Sequence, residues 1–189
     1  GHAQLLVEQM EPATRQHKKA ERIVNESLRL EALTNDLLEF ERTGKLGLGQ
    51  HDLHAFAYDV MAELPGDRVT LTPEPNPPQE WVFDRSKMSQ VLLNLLRNAM
   101  EASPGEPVEL EFGRSGRNLR WVVRDRGPGL GDVDPATLFE PFVTGRVRGT
   151  GLGLAITKRI IERHGGTIIG RNHAHGAEFV IELPPGGQT

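Results

Sequence analysis

Apolar positions in the first forty residues follow a helical period, whereas from about position 50 onward they change spacing every few residues. Between Ala3 and Thr43 the pattern predicts helix, with a break near Glu11–Pro12, because proline is tolerated in the first turn of a helix and not in its interior. In the second of these helices Ile23, Leu30, Leu33, Leu37 and Phe40 recur at intervals of seven, three, four and three, with Glu and Arg across much of the opposite face. Such a narrow seam suits a partner helix, although periodicity alone favours an ordinary amphipathic surface helix. Leu5 and Leu6 point to a preceding helix.

Gly44, Gly47 and Gly49 mark a linker, so the boundaries read 1–43 helical, 44–50 linker and 51–189 a second region. There Leu53–Leu64 reads as helix, Val69–Leu71 as a strand, and Pro73 to Pro78 as a connector to a short strand at Trp81–Phe83. Asp84 or Ser86 is the candidate cap of a long helix reaching Ala102, stopped by Ser103–Pro104–Gly105. Val108–Phe112 and Leu119–Val123 flank the turn-like Arg114–Asn118 and predict a hairpin. A Gly-rich stretch leads into a helix over Leu152–His164, ended by Gly165–Gly166, and the strands Thr167–Gly170 and Glu178–Leu183 follow. Strands and helices interleave without regular βαβ spacing. The expected fold is an α/β two-layer sandwich, with a mixed sheet carrying helices on one face, preceded by helix.

Composition narrows the chemistry. A net charge of −4 gives no electrostatic case for nucleic acid. Without cysteine there is neither a disulfide framework nor a thiolate metal site, which fits a reducing cytoplasm. No run approaches the roughly 20 apolar residues of a membrane span, and the start lacks the features of a signal peptide, so no membrane contact is expected of this stretch, whatever anchors a longer parent.

Four local patterns carry candidate chemistry. In NLLRNAMEA, Asn94 and Asn98 lie four apart, one above the other on a helix face, with Val91, Leu92, Leu95, Leu96 and Ala99 on the buried side. Amide oxygens are hard neutral ligands that can complete a magnesium shell otherwise made of phosphate oxygens and water, although paired Asn on a helix are usually surface or capping groups. In DRGPGL, Asp125 at a strand end can accept from an exocyclic amine, and Gly127 and Gly129 let the backbone approach a flat ring; the bland reading is a turn. FEPF places Phe139 and Phe142 around a proline, where they can anchor a loop on the core. In RGTGLGLAITKRIIERHGG, Gly149, Gly151 and Gly153 lead into an amphipathic helix whose unpaired N-terminal amides and dipole suit phosphate. Neither a Walker loop nor a dinucleotide fingerprint fits this spacing, and a structural turn is its rival.

In this order the four patterns resemble the N, G1, F and G2 boxes of the ATP-binding domain of sensor histidine kinases, in the superfamily that also holds type II topoisomerases, heat-shock chaperones and mismatch-repair ATPases. The resemblance covers Leu53 to Leu183, and it implies a Bergerat-type ATP-binding fold. Arg22 to Leu46 further resembles the second helix and exit linker of the dimerisation hairpin, and GHAQLLVEQM the tail of its first helix. NLLRNAMEAS is most similar to the nitrogen-regulation branch, with Glu101 at an often basic position.

The resemblance implies roles by position. Asn98 would coordinate the magnesium that bridges the phosphates of ATP, with Asn94 supporting it or ordering a water and Arg97 near phosphate. Asp125 would accept from adenine N6, with Gly127 and Gly129 as that pocket's wall. Val143 to Arg148 would be the ATP lid, hinged at Phe139 and Phe142, with Arg146 and Arg148 neutralising transferring charge. Gly149, Thr150, Gly151, Leu152 and Gly153 would seat the triphosphate. Hydrolytic relatives carry Glu where this chain has Asn94. Asn has no useful basicity near neutral pH, so transfer to a nucleophile is favoured over hydrolysis. The implied partners are a second copy of the chain through the hairpin and the receiver domain of a response regulator. None of His2, His17, His51, His54, His164, His173 and His175 stands in the family's acceptor motif. The expectation is therefore a stretch that begins after the acceptor and cannot phosphorylate itself at the usual site. His164 reads as part of a helix stop, and His173-x-His175 as a solvated loop.

Overall fold

A computed structural model describes residues 14–41, 45–132, 134, 137–143 and 151–186. The chain divides into two compact units, Gly1–Arg42 and Thr43–Thr189. In the first unit, helix α1 spans Arg15–Glu41. The hydroxyl of Thr14 accepts from the His17 amide at 3.0 Å and so caps its first turn. Ile23 and Leu30, two members of the seam, are exposed along α1, as is Leu38. The side chains of Leu33, Leu37 and Phe40, and the break near Pro12, lie outside the described residues.

The second unit runs β1 (Leu48–Asp52), α2 (Leu53–Ala62), β2 (Val69–Leu71), β3 (Glu80–Asp84), α3 (Arg85–Ala102), β4 (Val108–Ser115), β5 (Asn118–Arg124), α4 (Gly153–Arg163), β6 (Thr167–His173) and β7 (Gly176–Leu183). Five strands form one sheet in the order β2-β4-β5-β7-β6, with β2 parallel to β4 and the other pairs antiparallel. The mixed sheet is therefore as the sequence predicts. A separate antiparallel pair joins β1 to β3, with Leu48 opposite Asp84. The sequence reading has no strand at β1: its residues, LGQHD, hide only every second side chain and only partly, so pairing with β3 supplies what apolar alternation does not.

The core is the face of the sheet against α2 and α3. Helix α3 buries Met88, Val91, Leu92, Leu95, Leu96 and Ala99, a helical stripe that leaves Asn94 and Asn98 half-buried at its margin. Each large side chain so removed from water contributes about 1.5–3 kcal/mol. Phe56 packs on Phe83 at 4.9 Å between ring centroids, and Phe112 packs on Trp121 at 5.0 Å. Phe56 also meets Trp121 edge-on at 6.0 Å, which fastens α2 and β3 to the centre of the sheet.

The opposite face carries one row of alternating charge across four strands, because the registers set Glu109 opposite Arg124, Arg124 opposite Glu178 and Glu178 opposite Arg171. Arg124 donates to Glu111 at 2.7 Å, to Glu178 at 2.9 Å and to Glu109 at 3.3 Å. Burial works against its charge, yet these carboxylates outweigh it and raise its pKa further above the ordinary arginine range. Glu178 is buried, which opposes its charge, and the bonds from Arg171 and Arg124 nevertheless hold its pKa below the usual value.

Candidate nucleotide site

Helix α3 begins at Asp84, whose side chain accepts from the Lys87 amide at 3.1 Å. From that fixed start the 3.6-residue period brings Asn94 and Asn98 to one face, both half-buried, while Arg97 and Glu101 are exposed. Asn94 is held by a neighbour on α4: its Nδ2 donates to the buried Thr157 hydroxyl at 2.9 Å. That bond leaves the amide oxygen on the side of Gly153, where an added Cβ would lie 2.5 Å from Asn94 Oδ1. Gly153 is thus required by the closeness of two helices.

Helix α4 opens at Gly153 with no side-chain cap, so its first amides keep their capacity to bond an anion. Just before it, Gly151 has φ +71°, and a Cβ there would meet the backbone of Phe142 at 2.6 Å. The Phe142 amide donates to the Gly151 carbonyl at 2.9 Å. Phe142 and Gly151, which flank residues 143–150 in sequence, are therefore pinned side by side. Phe142 itself is exposed with φ +67°, a conformation that costs an aromatic residue strain, and the Gly151 bond holds it there. Phe139 is buried edge-on to Phe179, with centroids 6.4 Å apart. Of the paired anchors expected from FEPF, Phe139 packs in the core and Phe142 does not. Arg146, Arg148, Gly149 and Thr150 lie outside the described residues, whereas Leu152 is buried next to Gly153.

Asp125 follows β5 directly and is 4% exposed. Its Oδ1 accepts from the amides of Gly127 at 2.8 Å and Ala177 at 3.1 Å, and both described bonds to the carboxylate fall on that oxygen. Three glycines make room for this arrangement. A Cβ on Gly176 would lie 2.3 Å from the Asp125 carbonyl oxygen, and one on Gly127 would lie 2.7 Å from the Ala102 carbonyl at the end of α3. Gly129, at φ +79°, leaves no space before Asn172 Oδ1. That oxygen accepts from the Leu130 amide at 2.6 Å, while Asn172 Nδ2 donates to the Gly131 carbonyl at 3.1 Å, clamping the loop from both sides.

Helix α3 is therefore the common wall. Asn94 abuts the start of α4, and eight residues on, roughly 12 Å along the axis, Ala102 abuts the Asp125–Gly129 loop. A different space, a cavity of about 300 Å³, touches that loop through Asp125 and Arg126 and reaches neither Asn94 nor Gly153; its walls also include Thr70, Thr72, His173 and His175. His173 corrects the sequence reading. It is the last residue of β6 and half-buried, with Nε2 bonded to the Asp125 carbonyl at 3.1 Å, because the β6–β7 hairpin is longer than its apolar positions indicate. Asn172, Thr157 and Gly176 were not legible, since each matters only through a contact distant in the chain.

Residues 83–187 match the family described as histidine kinase-, DNA gyrase B- and HSP90-like ATPase. The sensory histidine kinase/phosphatase NtrB of Salmonella typhimurium is 34% identical over 205 residues, which take in 97% of this chain and 56% of that protein. The crystal structure of full-length ShkA in complex with AMPPNP superposes with a TM-score of 0.78 at 26% identity, covering 97% of this chain and 42% of that one. Histidine kinase ThkA, in complex with the response regulator protein TrrA, gives a TM-score of 0.75 at 26% identity over 97% of this chain and 55% of that one. The chain spans about half the length of the curated relatives it matches along most of its own length.

Proposed function

Since the chain belongs to the histidine kinase-, DNA gyrase B- and HSP90-like ATPase family, and within it to the sensor histidine kinase type, we propose that it binds magnesium-ATP along α3. In the intact protein it would donate the γ-phosphoryl group to a histidine, from which the receiver domain of a response regulator takes it. The observation that carries this reading is the shared wall: one helix touches an uncapped, glycine-led helix start near its middle and a buried carboxylate loop at its end.

The residues divide the work along that wall. Asp125 accepts from the exocyclic amine of adenine through Oδ2, since Oδ1 is occupied by two backbone amides. Gly127 and Gly129, lacking a Cβ, let the loop close against Ala102 and Asn172 and so shape the wall of the adenine pocket. Gly151 and Gly153 offer amides to the phosphates, with Gly149, Thr150 and Leu152 beside them in sequence. Asn98, with Asn94 one turn earlier, supplies neutral oxygen for a magnesium ion, whose charge offsets that of the phosphates. Arg97, and Arg146 and Arg148 of the lid, add positive charge around them. Phe139 and Phe142 bracket the lid's entry.

Asn94 also decides between reactions. Its amide is no general base and its Nδ2 is engaged by Thr157, so nothing at that position draws a proton from water. A separate acceptor hairpin incubated with this chain and magnesium-ATP gains phosphate, whereas brisk ATP turnover without transfer would mark a hydrolase instead. Calorimetry tests the binding step. Asp125→Asn should lose roughly tenfold to a hundredfold in ATP affinity, the equivalent of one charge-assisted hydrogen bond worth about 1.5–3 kcal/mol. Unchanged affinity would remove Asp125 from the site.

A further inference from the structure

Asp84 joins three segments that are far apart in sequence. Its Oδ1 accepts from the Lys87 amide in the first turn of α3, and its Oδ2 accepts at 2.8 Å from the amide of Gly47, where the chain enters the second unit ahead of β1. Its own backbone amide donates at 3.0 Å to Nε2 of His164, at the end of α4. The His164 ring then reaches back into its helix, with Nδ1 at 2.8 Å from the Ile160 carbonyl. Both residues are buried, at 9% and 6% exposure. The tautomer follows from the partners: Nε2 receives a proton from an amide and so carries none, and Nδ1 donates to the carbonyl. Burial favours that neutral form and holds the His164 pKa below its usual value.

Of these bonds the nucleotide reading uses only the Asp84–Lys87 cap, and the bonds to Gly47 and His164 have no part in it. Asp84 starts the helix that carries Asn94 and Asn98, and His164 ends the helix that begins at Gly153. We propose that Asp84 is a positioning residue that couples the docking of the incoming chain at Gly47 to nucleotide occupancy between α3 and α4, with His164 completing the coupling. Gly47 suits the post: a Cβ there would lie 3.5 Å from Asp84 Oδ2, an ordinary contact, so its amide sits close to the carboxylate without crowding. When a nucleotide draws α3 and α4 into one arrangement, the Asp84 carboxylate and backbone become fixed together, and the amide of Gly47 with them. Coupling is reciprocal, so a pull on the segment before β1 that breaks the Gly47 bond weakens nucleotide binding by the same factor.

This rests on the nucleotide reading, and the two can fail separately. The test is amide hydrogen exchange at Gly47, read residue by residue by NMR on the full chain, with and without saturating magnesium-AMPPNP, with calorimetry on the same sample. The expected result is exchange at Gly47 slowed at least about fivefold by the nucleotide. Asp84→Asn offers one acceptor oxygen in place of two, and Asn is a good helix cap. This variant should still bind nucleotide while the response at Gly47 disappears. A helix cap with no coupling role would protect Gly47 equally in both states. Binding with unchanged exchange at Gly47, or an undiminished response in Asp84→Asn, would overturn the coupling alone. No heat of binding would overturn the nucleotide reading and the coupling with it.

Discussion

Among the described residues, Asp125 is held by the backbones around it rather than by a countercharge. Two amides fix one of its oxygens, and glycines at 127 and 176 supply the space. Half of this arrangement was legible, because Asp125, Gly127 and Gly129 are neighbours in sequence. The other half was not: Gly176 and Asn172 arrive from a hairpin some fifty residues later, and a glycine or an asparagine beside a turn is unremarkable by itself. His164 was legible only as part of a helix stop, since nothing in its neighbourhood announces an acceptor for the amide of Asp84. Its chemistry gives a pH dependence with a definite sign. Burial lowers its folded-state pKa, the carbonyl of Ile160 and the charge of Asp84 oppose that, and Arg163 adds to it. The unfolded chain therefore binds this proton more readily than the folded one. Stability from this group is complete above the ordinary histidine value of 6.5 and is lost as the pH falls below it, toward the folded-state pKa. Thermal melts between pH 8 and roughly pH 5 should show the wild type losing more of its melting temperature than His164→Gln. Parallel curves would show that His164 does not titrate on unfolding.

Among the elements, α3 was the most legible, because its apolar stripe, its capping aspartate and its stop at Ser103 all point to the same boundaries. Strand β1 was the least, since an edge strand with little apolar alternation owes its existence to its partner. The β6–β7 hairpin falls between the two. Its apolar halves show in the sequence, but its polar tip, Arg171 to Gly176, reads as loop and is in fact strand up to His173. That tip positions Asp125, so a small change there should be felt at the site. In Gly176→Ala the new methyl would meet both the carbonyl and the carboxylate of Asp125. We expect it to cost about 1–3 kcal/mol in urea unfolding, the usual penalty of overpacking, and to weaken ATP binding in the same variant. A stable variant with normal affinity would mean that the hairpin does not position Asp125.

For the whole molecule the sheet has one face committed to packing and the other to a charge row, so the proposed nucleotide wall falls to the helices. The apolar spacing revealed which face packs, whereas the row from Glu109 to Arg171 needed the register of four strands before its pairs could be seen. No described helix is long and apolar enough to cross a membrane. The pairing with a second copy that the seam's resemblance implies would cover Ile23 and Leu30, which are exposed on α1. Leu30→Asp should then raise the dimer dissociation constant at least about tenfold, because burying one such side chain is worth about 1.5–3 kcal/mol. Analytical ultracentrifugation would read that change, and ATP affinity should stay as it was; a chain already monomeric at high concentration would contradict the pairing. The most direct measurement at this scale is an NMR titration with magnesium-AMPPNP, following the side-chain amides of Asn94 and Asn98 together with the backbone amides of Gly127 and Gly153. One nucleotide lying along α3 predicts that all four shift along a single binding curve with one dissociation constant. Shifts at Gly153 and the asparagines with Gly127 unmoved, or two separate curves, would contradict it.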